Sequence, residues 1–273
     1  MRVVAVLGAT GGAGATTTVA HLASALAAQP RTALALDVCP ANALRLHFGM
    51  AWAEEGGWAR HVLDGQDWQT AAWRDSQGRH FLPFGTLDEG RALAGLAQWL
   101  GERPGWLRDR LGELQFEDGA VVVCDAPAGP SAWRDQVLAA ADLVLMLCAP
   151  DTLSYAHATR FVDRARHQGF GGRASPEVVI VLNGFDPARQ LDRDIALLLR
   201  TQYKPVFSPV LVHRDESLRE ALACKQTVFD FAPRSQAAHD HAALGTWTLA
   251  RLGQIVQGMQ GGQALAPAPE QRA

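Results

Sequence analysis

Glycines spaced to fold a chain tightly, followed at once by two threonines, are residue types that can do chemistry on a phosphate. Here they stand in Gly8-Ala-Thr-Gly11-Gly12-Ala-Gly14-Ala15-Thr16-Thr17, directly after the apolar run VVAVL at 3–7. In such a turn successive backbone N–H groups converge on an anion, and a helix beginning there adds its N-terminal N–H groups. The hydroxyl after the last glycine falls where a phosphate-binding loop needs a Mg²⁺ ligand. The candidate cradle is therefore Gly11, Gly12, Ala13, Gly14, Ala15, Thr16 and Thr17. Two aspartates end later apolar runs: Asp37, and Asp125 in Val121-Val-Val-Cys-Asp125-Ala-Pro127-Ala-Gly129. A carboxylate at such a strand end sits near the Mg²⁺ shell, usually through water. Thr16, Asp37 and Asp125 are the candidate metal residues, partly through water. Asn183, in Val181-Leu-Asn183-Gly-Phe-Asp186, ends another run, and its amide can read an adenine edge. Each carboxylate or amide alone also fits a plain turn, as in Asp-x-Pro or an Asn closing a loop. Their joint occurrence favours a site.

What the loop lacks is as informative. No lysine precedes Lys204, and the chain has 25 basic residues of which only Lys204 and Lys225 are lysines. The position of the loop lysine holds Ala15. Loss of an ammonium removes a charge-assisted bond worth roughly 1.5–3 kcal/mol. Two such losses weaken binding by about a hundredfold to ten-thousandfold unless an arginine or the metal compensates. The same charges stabilise a leaving phosphate in the transition state, so hydrolysis suffers more than binding. Arg45, Arg134 and Arg214 are the candidate substitutes.

The spacing Gly8-x-x-Gly11-x-x-Gly14 also fits the turn of an NAD(P)-binding fold, with Asp37 on a ribose hydroxyl. Against it, Tyr155 is followed four residues on by Thr159, where a short-chain reductase needs lysine, and the paired threonines have no role there.

The elements that must position these residues are legible. Apolar runs at 3–7, 32–36, 79–84, 120–124, 143–148, 177–182 and 206–212 read as strands, several without polar alternation, as in parallel strands covered on both faces. Between them, 16–28, 188–200, 214–224 and 236–257 carry helical spacing; Val19, Leu22, Ala23 and Leu26 share one face. This alternation predicts an α/β fold: a mostly parallel, twisted sheet with helices on both faces, and sites at the carboxyl ends of strands. Residues 50–116 are less regular and hold Trp52, Trp58, Trp68, Trp73, Trp99 and Trp106. Those tryptophans read first as packing residues; Trp58 and Trp68, beside a Gly-Gln-Asp turn, are the docking candidates among them.

Bulk properties bound the rest. A chain of 273 residues, 48% hydrophobic and 19% charged, suits one large domain, here residues 1–257, with 258–273 a Gly/Ala/Pro/Gln tail expected to be disordered. A net charge of −3 argues against a nucleic-acid or anionic-membrane surface. No apolar stretch reaches the length of a membrane span. The four cysteines are scattered, which suits reduced thiols in the cytoplasm. His239 and His241, two residues apart, do not share a helix face, so a metal pair there is not expected. The run His213-Arg214-Asp215-Glu216 reads as a helix start capped by Asp215, or as part of a base pocket or partner surface.

Taken in order, these pieces resemble the MinD/ParA family of deviant-Walker ATPases, whose loop reads G-K-G-G-x-G-K-T-T. Residues 8–17 match its inner glycines and both threonines; Asp37, Asp125-x-Pro-x-Gly129 and Asn183 match later landmarks, and the resemblance covers about residues 1–255. Three further strings, Gly57-Trp-Ala-Arg-x-x-Leu-Asp-Gly-Gln-Asp-Trp68, Leu82-Pro-Phe-Gly85, and His213-Arg-Asp-Glu216 with Lys225-Gln-x-Val228, are similar to the MinD-like proteins of bacterial cellulose-synthesis operons. The resemblance implies a P-loop NTPase fold that binds ATP with Mg²⁺ and forms a nucleotide-dependent homodimer. It also implies a regulatory or assembly role in cellulose synthesis and secretion. The implied partners are a small accompanying protein and subunits of the synthase, met in the cytoplasm or at the inner face of the cytoplasmic membrane, without direct membrane insertion. The family's signature lysine falls at Thr10, its loop lysine at Ala15 and its hydrolytic aspartate at Cys39, so the resemblance implies binding with poor turnover. An active positioning ATPase or an NAD(P)-binding reductase are the alternatives.

Overall fold

The computed structural model describes residues 1–88, 90–168 and 176–263. Eight strands form one sheet in the order β3-β4-β2-β5-β1-β6-β7-β8. They are β1 (Arg2–Gly8), β2 (Ala33–Asp37), β3 (Trp73–Arg74), β4 (His80–Leu82), β5 (Val121–Ala126), β6 (Leu143–Cys148), β7 (Glu177–Phe185) and β8 (Val212–His213). Every ladder is parallel except the edge pair β3–β4. The predicted fold class is thus the one observed.

Unbroken apolar runs form the central strands because helices cover both faces. Along β1, Val3, Ala5 and Leu7 enter one core and Val4 and Val6 the other, as the two-residue period of a strand requires. The second core lies under α1 (Ala15–Ala27) and α10 (Gln236–Gln263), with Val19, Leu22, Leu26, Leu244 and Leu252 packed on it. The first lies under α2 (Trp58–Leu63), α3 (Arg91–Gly101), α4 (Trp106–Gly112), α5 (Ala132–Ala140), α6 (Thr152–Gln168) and α7 (Gln190–Gln202). Two short helices, α8 (Ser217–Ala223) and α9 (Val228–Phe231), pack on the start of α10.

Three expectations are revised. The run 206–212 is mostly not a strand: Lys204–Val206 is a 3₁₀ turn, Phe207 makes an isolated bridge to Ile180, and only Val212–His213 pairs with β7. Pro205 and Pro209 lack the N–H that a ladder needs. Trp58 and Trp68 are not docking residues; they are 1% and 4% exposed and sit in the first core. The last helix extends beyond 257 to Gln263, and the remainder of the expected tail lies outside the described residues.

The strings in the irregular segment now have a reason. Gly57 and Gly85 meet backbone to backbone: a Cβ on Gly57 would lie 2.1 Å from the Gly85 nitrogen. The contact seats Trp58, whose N–H donates to Pro83 O at 3.0 Å and whose indole Nε1 donates to Asp37 O at 2.7 Å. Around it, Trp68, Trp99, Trp106, Trp133 and Phe84 form a chain of ring contacts, with neighbouring centroids 5.2–6.3 Å apart. Among the described residues no helix is long and apolar enough to cross a membrane.

Candidate functional site

The sheet order brings the separated residues together. β5 lies between β1 and β2, with Val6 beside Asp125 and Asp37 beside Asp125 in register. The loop after β1, Asp125 and Asp37 therefore end at one level on three adjacent strands. In a dinucleotide-binding fold β1 is flanked by β2; here β5 and β6 flank it, so the alternative reading of the glycines is not supported.

Between β1 and α1 the loop is tied to β6, with Ala9 N donating to Leu147 O at 2.9 Å, and closes on itself, with Ala13 N donating to Thr10 O at 3.3 Å. Gly14, at φ +89°, turns the chain into α1 in the left-handed region. A Cβ there would also stand 2.4 Å from Asn183 Nδ2. The first N–H groups of α1 have no carbonyl one turn back to bond, and they open on a cavity of about 390 Å³. Gly8, residues 10–17, Cys39, Asp125 and residues 126–128 line it. Thus Gly11, Gly12, Ala13, Gly14, Ala15, Thr16, Thr17 and Asp125 are brought together. Asp37 stands one strand further, behind Cys39.

The electrostatics are those of an acid pair out of water. Asp37 is fully buried; Oδ1 accepts from Cys39 N at 2.9 Å and Oδ2 from Leu44 N at 3.2 Å. Burial, then the neighbouring Asp125, hold its carboxyl well above the usual carboxylate range. Asp125 is 1% exposed. Burial pushes it up to about 7, against the Thr16 hydroxyl and the Ala126 N–H, which donate to it. Its Oδ2 is buried with no partner among the described residues. Two buried acids sharing a site repel, and a buried acceptor left unmatched is costly. A divalent cation beside Asp125 and the Thr16 hydroxyl would meet both needs, so these oxygens fit one. Burial raises the Cys39 thiol to about 11. It stays a protonated thiol and is no base for activating water.

Asn183 closes the other side. It lies at the bulge of β7, and its Nδ2 donates to Ala13 O at 2.7 Å, so the amide ties the loop to the sheet. Next to it is a second cavity, of about 210 Å³. Gly14 and Thr17 belong to both cavities; Asn183, Gly184, His213, Arg214, Asp215, Leu218 and Leu222 also line this one. Asp215 accepts from Ser217 N and Ala237 N, capping α8 and the start of α10.

The three arginines separate. Arg45 is spent on the chain itself: it donates to the carbonyls of Asn42, Ala51, Trp52 and Glu54. Arg214 lines the second cavity. Arg134 donates to Ala128 O at 3.1 Å and its Nε is buried without a partner among the described residues. With His157, Arg160 and Arg164 it lines a cavity of about 640 Å³ that Gly8, Thr10, Gly11 and Ala128 share with the loop site. Reading the sequence missed Arg160 and Arg164, because only the packing of α6 against the loop brings them there.

Comparison with known proteins fits this geometry. The family described as "Cellulose biosynthesis protein BcsQ" matches residues 1–249. The chain is 31% identical, over 91% of its length and 94% of the relative's, to the cellulose biosynthesis protein BcsQ of Escherichia coli strain K12. Among solved structures it is similar to cobyrinic acid a,c-diamide synthase of Mycobacterium smegmatis with bound ATP analogue and magnesium. There the TM-score is 0.72 and the identity 23%, covering 93% of this chain and 96% of that one. It is also similar to the septum site-determining protein MinD of Pyrococcus horikoshii complexed with Mg-ADP, at a TM-score of 0.71 and 16% identity, covering 93% and 98%.

Proposed function

The chain belongs to the BcsQ family of cellulose biosynthesis proteins, and from that premise we propose that it is an ATP–Mg²⁺-binding regulatory and assembly protein of bacterial cellulose synthesis and secretion, with little or no hydrolysis. One observation carries the nucleotide part. A left-handed glycine turn feeds the free N–H groups of α1 into a cavity where a buried Asp125 oxygen has no partner beside the Thr16 hydroxyl. The turn and the helix start, residues 11–17, hold the phosphates; Thr16, with Asp125 and Asp37 partly through water, holds the cation. Asn183 and the cavity beside it take the base. Arg134, at the flank of the loop, stands in for part of the missing lysine charge.

Poor turnover follows from the same residues. Ala15 and Thr10 supply no cation to a leaving phosphate, and Cys39 supplies no carboxylate to orient water. The nucleotide then acts as a bound brace between two copies of the chain. The partners in this reading are a second copy, the small protein BcsR and subunits of the cellulose synthase, met in the cytoplasm or at the inner face of the cytoplasmic membrane.

Calorimetry with ATP–Mg²⁺ and mass determination with and without it test the scheme: binding and a doubled mass are expected, and absence of both would sink it. Phosphate release at about one per second or faster would favour instead an active positioning ATPase.

A further inference from the structure

β8 delivers His213 to the rim of the second cavity, and a buried carboxylate fixes how its ring can bond. Asp240 is 4% exposed. Its Oδ2 accepts from the His213 backbone N–H at 2.8 Å and lies 2.8 Å from ring Nδ1, while its Oδ1 accepts from Gln236 Nε2 at 2.7 Å. An ionised carboxylate can only accept, so Nδ1 carries a proton, and in the uncharged ring Nε2 then keeps its lone pair. The ring is held edge-on to Phe185, with centroids 5.5 Å apart. About a third of the side chain stays open, at a cavity lined also by Leu218, Leu222, Arg214 and Arg219 and shared with Gly14 and Thr17 of the loop.

Resting on the nucleotide reading above, we propose that His213, with its tautomer set by Asp240, reads the 6-position of a purine. A neutral Nε2 accepts a hydrogen bond from the 6-amino group of adenine. The 6-keto oxygen of guanine or hypoxanthine is itself an acceptor, so two lone pairs meet and neither is satisfied. His213 makes the contact; Asp240 is a positioning residue. The site thereby selects adenine nucleotides through an acceptor held against the base.

The test uses the full chain with Mg²⁺ at pH 8, where an ordinary imidazole is neutral. Calorimetry compares ATP with purine riboside triphosphate, which has hydrogen at the 6-position, and with inosine triphosphate, which has a keto group there. The wild type is expected to bind the 6-hydrogen analogue about three- to tenfold more weakly than ATP, and inosine triphosphate more weakly still. In His213→Ala, and in His213→Phe, which keeps the ring packing on Phe185, the penalty for losing the amino group should shrink to within about twofold. Asp240→Ala removes the acceptor from Nδ1 and frees the ring to carry its proton on Nε2; it should narrow the ratio of ATP to inosine triphosphate affinity by tightening inosine triphosphate in absolute terms, which a general loosening of the pocket would not do. An equal penalty in wild type and both His213 variants, or no penalty in wild type, overturns the inference while leaving nucleotide binding intact. No binding of any triphosphate by the wild type overturns the nucleotide reading, and this inference with it.

Discussion

At the scale of single residues, Gly14 and Asp125 make the sharpest demands. Gly14 combines φ +89° with a neighbour 2.4 Å from where a Cβ would stand. Gly14→Ala should cost about 1–3 kcal/mol in denaturant unfolding through backbone strain alone. Removing the neighbour as well, in Gly14→Ala with Asn183→Ala, should relieve the clash but not the strain. Asp125 makes a pH-dependent demand. Its carboxyl titrates near 7 in the fold and near 4 unfolded. Its contribution to stability is thus fully present below pH 4 and lost as pH rises through 7. Without metal, melting curves of Asp125→Asn should lose that downward slope between pH 4 and 7, and the variant should outlast the wild type at pH 8. Thr16, Asp37 and Asp125 were legible in the sequence because each closes an apolar run or a glycine turn. The His213–Asp240 contact was not: 27 residues separate them, and only the packing of α10 against β8 makes them neighbours.

At the scale of elements, a histidine cluster pins four segments behind the loop. His21 of α1 hydrogen-bonds Thr17 O through Nδ1 at 2.7 Å and accepts from Val228 N of α9 through Nε2 at 3.0 Å. His241 of α10 and His47 of the 3₁₀ turn Leu44–Phe48 lie against it, with centroids 4.9 and 5.5 Å away. Burial lowers all three, His47 to about 4, and the neighbouring imidazoles lower His21 and His47 further. A depressed base stabilises the fold above its unfolded value near 6.5 and loses that stability as pH falls toward the folded value. The melting temperature should therefore drop between pH 6.5 and 4 on account of this cluster, opposite in sign to the Asp125 effect. His47→Phe should make that limb shallower in calorimetric scans. The strands of the sheet centre were readable because unbroken Val/Leu runs have few other uses. Helices α5 and α6 were not singled out, since their apolar stripes are weak, and the last strand was over-read because Pro209 sits where its ladder would run and Pro205 just before it.

For the whole molecule, the sheet order explains how the proposed site draws on residues as far apart as Gly11 and Leu222. The proposed phosphate cradle belongs to β1 and β5, the proposed base cavity to β7, β8 and α8, and the Asn183–Ala13 bond locks the two. A ligand spanning both should raise the unfolding temperature of the chain as one unit. At a free concentration a hundred times its dissociation constant, ATP–Mg²⁺ should shift a single transition upward by roughly 5–10 °C in scanning calorimetry. The fold class was legible from the alternation of runs and helices; the order β2-β5-β1 was not, because nothing local in a parallel strand names its neighbours. The Trp58 bond to the Asp37 carbonyl has a consequence of its own. It wires an indole, and through it four more tilted or edge-on indoles, to the strand end beside the proposed cation position. Ultraviolet emission from this array should therefore shift when the proposed site fills, an optical gauge with no dye attached.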